Sequence, residues 1–214
     1  MSTYTATKAA PVASPSDVRD RRLAWDGSLQ QLRMAWPASR AADPPACELP
    51  AAYVAREYDS RDEPRFYEIM DLAGWPGWDA DRLRPTLSKV IPHGWFVVAE
   101  RETDVAVGSA MCLHNYKRVT PFWGNLGWLT CDPAHAGHGI GLALTAAVVC
   151  RFIEAGYEKI DLYSEDFRLP ALKTYLRIGF HPVLHADGMD ARWEDICARL
   201  DWPYTPDAWP ANVT

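Results

Sequence analysis

The chain has 214 residues, of which 48% are hydrophobic and 23% charged, and these values are ordinary for a globular protein. Wholesale disorder is therefore excluded. The net charge of −6 argues against a nucleic-acid-binding protein and slightly favours a cationic partner. The five cysteines are scattered and form no CxxC pair, so neither a metal site nor a disulfide framework is indicated, and we expect a reducing, cytoplasmic compartment.

Two further features of composition narrow the class of protein. The chain has no apolar run as long as the ~18 residues of a membrane-spanning helix, and its N-terminus lacks the apolar core of a signal peptide. We therefore expect no membrane partner. The ten tryptophans are unusual. Most of them fill the core or its rim, or several line a groove or a partner surface, and composition alone does not separate these alternatives.

The chain divides into three predicted parts. Residues 1–50 form an N-terminal extension, in which 1–16 have the composition of a mobile segment, 17–36 have loosely helical spacing and 37–50 are interrupted by prolines. Residues 51–200 form the main domain, and residues 201–214 form a C-terminal tail. Three roles stay open for the extension: it covers an acceptor site, forms a contact in a homodimer, or has no measurable role.

Within the main domain, the patterns predict antiparallel strands first and then alternating strands and helices, which is typical of a mixed α/β (α+β) protein. The predicted strands are 53–58, 94–101, 105–115, 125–132, 159–164 and 180–186. The predicted helices are 63–73, 79–90, 139–154, 168–180 and 190–200.

The most informative segment is CDPAHAGHGIGLALTAAVV, where a strand runs into a glycine-rich turn and then into a helix. Gly137, Gly139 and Gly141 let the backbone approach a ligand closely. The first amides of the helix have no intrahelical partner, and the helix dipole adds positive potential. The turn therefore predicts an anion site suited to a pyrophosphate, although glycines needed only for packing would give the same pattern.

Other phosphate-binding motifs fit this segment less well. The glycines do not have the spacing GxGxxG, and no acidic residue closes a second parallel strand about 20 residues later. The segment also lacks the GK[ST] sequence of nucleoside-triphosphate loops. A dinucleotide-binding domain and a nucleotide hydrolase are therefore disfavoured.

Two blocks of this sequence, taken together, resemble the GNAT acyltransferases. The first is the Cys131-Asp132-Pro133 step followed by the loop AGHGIG (136–141), and the second is the later helix RLPALKTYLRIGF (168–180). The second block has the family pattern N-x-x-A-x-x-x-Y-x-x-x-G-F at Ala171, Tyr175, Gly179 and Phe180. The two blocks lie in the family's order, with a predicted strand between them.

The resemblance implies a mostly antiparallel twisted sheet flanked by helices on both faces, in which strands 125–132 and 159–164 splay apart. It implies acetyl-CoA as acyl donor, no metal, and transfer of the acetyl group to a primary amine of a small molecule or peptide. Pantetheine would lie in the gap and pair with backbone near Leu129 and Cys131. The implied cofactor-binding residues are Leu129, Thr130, Cys131, Ala136, Gly137, His138, Gly139, Ile140, Gly141 and Arg168.

Two positions depart from the family pattern. Ala136 replaces a Gln or Arg whose side chain helps to hold the pyrophosphate, so that only its amide remains for that purpose. Arg168 replaces an Asn, and its cation either reaches a phosphate or faces solvent. His138 stands where the family often has Lys or Arg, and it either holds phosphate when protonated or is an exposed loop residue.

The resemblance also implies candidate catalytic residues. Tyr175 occupies the family's position for the general acid that protonates the leaving thiolate. The general base is open, because Asn125 stands near the position where many members have Glu. Glu165 and Asp166, just after strand 159–164, are the alternatives, together with His114 and a chain of waters.

Substrate-binding residues in this fold come from the first two helices and the loop between them. This predicts Trp75, Trp78 and Asp79 on one wall of the acceptor site, with Trp123 and Asn125 opposite. Indole rings stack on rings or on cations, although the same tryptophans would serve equally well to pack the loop.

Three functions are therefore weighed. The leading hypothesis is an acetyl-CoA-dependent N-acetyltransferase. The alternative, favoured by Ala136 and the missing Glu near Asn125, is an inactive acyl-CoA sensor or interaction module. A third is an enzyme of the same fold with another acyl donor or acceptor atom. Turnover with a panel of amines separates the first two.

Overall fold

The computed structural model describes residues 30–46, 48–118 and 120–209. Seven strands form one sheet in the order β2-β3-β4-β5-β6-β1-β7, and all pairs are antiparallel except β5 with β6. The strands are β1 Leu32–Trp36, β2 Tyr53–Glu57, β3 Val90–Glu100, β4 Ala106–His114, β5 Trp123–Cys131, β6 Lys159–Ser164 and β7 His181–Val183. The predicted mixed, mostly antiparallel sheet is confirmed.

Five helices in the described part flank the sheet. They are α1 Glu63–Leu72, α2 Ala80–Leu87, α3 Ile140–Glu154, α4 Leu169–Ile178 and α5 Met189–Leu200. Alternate residues of β3 point to opposite faces, as a pleated strand requires. Val98 packs in a cluster with α3, whereas Trp95 packs in a cluster with α1 and α2. The sheet is therefore covered on both faces, as predicted.

The extension contributes to the sheet a strand that the sequence pattern does not predict. Residues 17–36 were predicted as a helix, but Leu32–Trp36 is β1, which lies between β6 and β7. Leu32, Met34 and Trp36 alternate into the core, and this period of two is the strand pattern that the wider helical window obscured. The helix prediction is wrong for these residues, and residues 17–29 lie outside the described part.

The parallel pair β5–β6 splays apart as expected. The two strands pair from Trp123↔Lys159 to Leu126↔Leu162, and the pairing then stops although β5 continues to Cys131. Met111 of β4 pairs with Gly127 of β5, and Ser109 pairs with Thr130. Between these two pairs, β4 has one residue and β5 has two. Such a bulge bends a strand. Trp128 lies in the bulge with φ +52°, an uncommon value for a bulky residue.

The described ranges show neither a membrane-spanning helix nor a cluster of metal ligands. No helix there has the length and apolar character needed to span a membrane. The same residues contain no group of three or more His, Cys, Asp or Glu side chains placed to hold a metal ion.

Candidate active site

The glycine turn follows β5 and is held in place by the acidic residue directly after this strand. The Asp132 side chain accepts a hydrogen bond from the Ala134 amide at 2.8 Å and forms an ion pair with Arg65 of α1. Gly137 and Gly139 have φ of +84° and +78°, in the left-handed region that favours glycine. The sequence prediction of a tight turn before a helix is therefore correct.

The turn presents the start of α3 to solvent. Gly139 is the N-cap of this helix, and the first amides after it have no intrahelical acceptor. Residues 136–138 are exposed, and a Cβ built on Gly137 would have no atom within 4 Å. An anion can therefore approach the amides from solvent and is favoured there by the helix dipole.

Two predicted residues of the turn contact other residues of the chain. The Ala136 amide donates to the Pro133 carbonyl oxygen at 3.2 Å, so it is already used within the turn. The His138 ring lies with Nδ1 3.1 Å from the His135 carbonyl oxygen and tilts against Tyr53. At Gly141, an added Cβ would be 3.7 Å from Thr174 of α4, which is an ordinary contact.

A cleft opens where β5 leaves β6, and we call it the β5–β6 cleft. It is lined by Gln31, Trp75, Tyr116, Asn125, Leu126, Gly127, Trp128, Leu129, Tyr163, Ser164, Glu165, Arg168, Ala171 and Tyr175. In the described part, no strand pairs with the β6-facing edge of β5 beyond Leu126. The backbone of residues 127–131 can therefore pair with an extended ligand.

Thr130 and Cys131 lie on the strand that leads from this cleft to the glycine turn. The Thr130 hydroxyl oxygen is buried and has no hydrogen-bond partner among the described residues. Burial raises the pKa of the Cys131 thiol to about 12. The thiol therefore stays protonated at neutral pH and is a poor nucleophile.

Tyr175 of α4 lies in the cleft, as the sequence predicts. Its residue is 5% exposed, and burial raises the pKa of its hydroxyl above the ordinary value. This hydroxyl has no hydrogen-bond partner in the described part of the chain. The phenol is thus protonated over the physiological pH range and is available to a ligand in the cleft.

The three predicted bases have different surroundings. Glu165 lines the cleft, where its Oε1 accepts from Gln31 at 3.0 Å and its Oε2 accepts from Arg168 at 2.7 Å. Asp166 instead binds Arg192 of α5 and does not line the cleft. His114 contacts the Tyr157 hydroxyl at 2.8 Å and is also absent from the lining. Of these three residues, only Glu165 lines the cleft.

Asn125, at the position where the family often has Glu, is tied to a neighbouring carboxylate. Its Nδ2 donates to Asp161 Oδ1 at 2.8 Å, and Arg33 of β1 donates to Asp161 Oδ2 at 2.9 Å. Burial raises the pKa of Asp161, against the opposing effects of Asn125 and Arg33. Asn125 thus connects the cleft to a buried carboxylate of β6.

The predicted substrate tryptophans are only partly brought together. Trp75 lines the cleft, whereas Trp78 is 7% exposed and packs against Phe66 of α1. Trp123 is 5% exposed, and Arg33 stacks over it with 4.4 Å to the ring centroid. Trp78 and Trp123 are therefore core residues. Asp79 caps α2 by accepting from the Arg82 amide.

Eight lining residues are not among the predicted site residues: Gln31, Tyr116, Leu126, Gly127, Trp128, Tyr163, Ser164 and Ala171. Trp128 follows Gly127 in the part of β5 that leaves β6. The predicted splay of these two strands therefore already indicated that this residue lies beside the cleft. Tyr163 alternates with the buried Leu162 and was already on the opposite face of the predicted strand. Gln31 lies in the range assigned to the extension, and nothing in its sequence surroundings indicates the cleft.

Arg168 lies in the cleft near Trp75. Its guanidinium stacks over the Trp75 ring with 4.5 Å to the centroid, and its Nη2 is buried without a hydrogen-bond partner in the described part. The ion pair with Glu165 further fixes its side chain. The expectation that Arg168 binds phosphate has no support from these contacts.

The residues present fit the cofactor that the sequence resemblance implies. The turn offers a cradle for a pyrophosphate, the open edge of β5 offers backbone groups to an extended amide-containing arm, and the buried Thr130 hydroxyl lies along that edge. Tyr175 lies within the same cleft, where the end of such an arm would reach.

Comparisons with known proteins agree with this geometry. Residues 48–180 match the model of the acetyltransferase (GNAT) family. A mycothiol acetyltransferase of Mycobacteroides abscessus is 30% identical over 155 residues, covering 67% of this chain and 50% of that protein. One of Sanguibacter keddieii is 36% identical over 89 residues, covering 41% and 28%. The chain thus spans half or less of the length of these relatives.

Solved structures show the same fold. The crystal structure of a GCN5-related N-acetyltransferase from Sphaerobacter thermophilus has a TM-score of 0.55 and 26% identity, covering 76% of this chain and 52% of that one. A GCN5-related N-acetyltransferase from Kribbella flavida has a TM-score of 0.52 at 18% identity, covering 72% and 55%. With a family match over more than half of its length and the splayed sheet and glycine turn described above, the chain belongs to the GNAT acetyltransferase family.

Proposed function

We propose that the protein is an acetyl-CoA-dependent N-acetyltransferase that moves an acetyl group to a primary amine of a small molecule or peptide by direct attack. The observation that carries this proposal is the placement of the protonated Tyr175 hydroxyl in a cleft bounded by the open edge of β5. The same strand leads directly into the glycine turn at the start of α3.

On the donor side, the amides at the start of α3 bind the pyrophosphate, and the backbone of residues 127–131 binds the extended arm. Acetyl-CoA supplies an activated acetyl thioester at the end of this arm. A backbone amide of β5 that points into the cleft stabilises negative charge on the thioester oxygen.

In the transfer step, the C–N bond forms and the C–S bond breaks. The attacking nitrogen becomes positively charged and strongly acidic, so even an ion-paired carboxylate such as Glu165 can accept its proton. Tyr175 donates a hydrogen bond and then a proton to the sulfur, and solvent returns a proton to the phenol. The protein therefore holds the reactants in line and exchanges two protons with them.

The test is release of free thiol from acetyl-CoA in the presence of a panel of primary amines, with calorimetric titration of acetyl-CoA alongside. Binding together with amine-dependent thiol release supports the proposal, whereas tight binding without turnover on any amine refutes it in favour of a binding module. The panel includes the acceptor of the mycothiol acetyltransferases. Because this chain spans half or less of those relatives, their acceptor is tested and not assigned.

We also propose a cytoplasmic location. The four cysteines in the described part are all free thiols, which fits a reducing compartment. Labelling of these thiols in freshly lysed cells tests this, since extensive disulfide formation would contradict it.

A further inference from the structure

The mouth of the β5–β6 cleft carries an unusual arrangement of cations and aromatic rings. Four rings in or next to the cleft each have a cation over their face, at 3.7 to 5.0 Å from the ring centroid. The pairs are Arg168 over Trp75, Arg82 over Trp78, Lys89 over Tyr116 and Lys117 over Tyr163. We call these four side chains the cationic collar.

Three members of the collar have no ion-pair partner in the described part of the chain. Lys117 donates to Gln31 Oε1 at 3.0 Å, Lys89 donates to the Tyr116 carbonyl oxygen at 2.9 Å, and Arg82 donates to the Pro76 carbonyl oxygen at 2.9 Å. All three acceptors are neutral. None of these contacts neutralises the positive charge, although Asp161 and Glu165 attract Lys117 without a direct ion pair. The whole chain has a net charge of −6.

The fourth member, Arg168, is ion-paired, but one of its guanidinium nitrogens has no hydrogen-bond acceptor among the described residues. Glu165 accepts from its Nε, while its Nη2 is buried and has no hydrogen-bond partner among the described residues. A buried N–H of a guanidinium without an acceptor is costly, so an oxygen atom supplied by a ligand would be favourable there. A carboxylate or a phosphate suits a guanidinium better than a neutral oxygen group does.

The charges around the cleft do not balance. The carboxylates Asp161 and Glu165 are opposed by Arg33, Lys117 and Arg168, so three cations face two anions before the rest of the collar is counted. An acceptor whose only charge were a cation would increase this excess. The net negative charge of the chain suggested a cationic acceptor, but the local charges favour the opposite.

We propose that the acceptor amine carries a carboxylate, as an amino acid does, and that Lys117 and Arg168 bind this carboxylate. This inference rests on the proposed function and identifies the substrate class of the same cleft. Tyr163 and Trp75, held by these two cations, form the apolar walls beside it. The carboxylate fixes the acceptor, and its amine is then free to reach the thioester.

The experiment compares L-cysteine, L-phenylalanine and L-glutamate, each with its α-carboxamide, as acceptors in the thiol-release assay. The kcat/KM values are expressed per unprotonated amine, because the carboxamides have less basic amines. We expect the free acids to be preferred by about tenfold or more, as a charge-assisted hydrogen bond allows. Equal values for acid and carboxamide would overturn the inference.

Variants then assign the effect to the collar. Lys117→Gln, at an exposed position, should raise KM for the free acid about tenfold, with KM for the carboxamide and for acetyl-CoA nearly unchanged. Arg177→Gln, on the exposed face of α4, is the matched control. If KM for acetyl-CoA rises instead, the collar serves the cofactor and the inference is wrong.

A binding measurement separates this inference from the proposed function. The CoA-loaded protein is titrated with N-acetyl-L-phenylalanine and with its carboxamide, and binding is followed by NMR. Preferential binding of the acid, lost in Lys117→Gln, supports a carboxylate site even if no amine is acetylated. Equal binding of both compounds, or binding of neither, overturns the inference even if simple amines are turned over.

Discussion

Replacement of Gly139 by Asp tests the assignment of the glycine turn. A Cβ at this position would meet only the Glu48 carbonyl oxygen, at 4.0 Å, so the new carboxylate can extend beside the first amides of α3. A unit charge placed about 5 Å from a bound phosphate repels it by about 1–3 kcal/mol at effective dielectric constants of about 80 to 20. The dissociation constant for acetyl-CoA should therefore rise about 5- to 150-fold.

The substitution also strains the backbone, and two controls separate strain from charge. Gly139→Asn keeps the shape and removes the charge, and Asn tolerates the left-handed region better than most residues. Gly156→Asp imposes the same strain at φ +81°, close to the +78° of Gly139, but just beyond the C-terminal end of α3.

The assay is calorimetric titration of all three variants with acetyl-CoA at two ionic strengths. We expect weak binding for Gly139→Asp, intermediate binding for Gly139→Asn and wild-type binding for Gly156→Asp. The gap between the two Gly139 variants should narrow at higher salt, because screening weakens repulsion between exposed charges. Equal affinity of Gly139→Asp and Gly139→Asn would show that no phosphate binds at this turn.

Three further predictions concern the cleft and the core. Tyr175→Phe should lower kcat about 10²-fold with an unchanged dissociation constant for acetyl-CoA. The control Tyr157→Phe, outside the cleft, should be fully active. A wild-type kcat in Tyr175→Phe would remove the phenol from the mechanism. Met34→Ala should lower the free energy of unfolding by about 2–5 kcal/mol in urea titrations. Leu72 is 40% exposed, so Leu72→Ala should lower this free energy by clearly less. Equal losses would place β1 outside the core. Because the thiol of Cys131 has a pKa of about 12, incubation with acetyl-CoA alone should give no acetyl-enzyme by intact mass, and an adduct at Cys131 would replace direct attack by a two-step route.

The sequence predicts those parts of this protein in which local patterns determine local structure. The glycine turn was found because positive φ, free helix amides and a preceding strand are all properties of one short segment. The alternation in β6 and the C-terminal stop of α4 at Gly179 were found for the same reason. The strands and helices of residues 51–200 therefore follow the predicted order.

Long-range contacts explain what was missed. Whether Trp78 and Trp123 face a ligand or the core depends on their neighbours, Phe66 and Arg33, which are 12 and 90 residues away in the sequence. The sequence motif left open whether Arg168 reaches a phosphate or faces solvent. Its ion pair with Glu165 and its contact with Trp75 place it in the cleft.

Residues at and just before the first strand contribute to the cleft, although they lie outside the sequence motifs. The family match begins at residue 48, whereas Gln31 and Arg33 lie before it and contact Glu165 and Asp161. Gln31 also accepts from Lys117, so one side chain connects the proposed base to the proposed carboxylate site. Because β1 pairs with β6 over its whole length, it fixes these two polar contacts relative to the strand that carries the carboxylates. A segment outside the family match therefore shapes the end of the cleft that we propose for the acceptor.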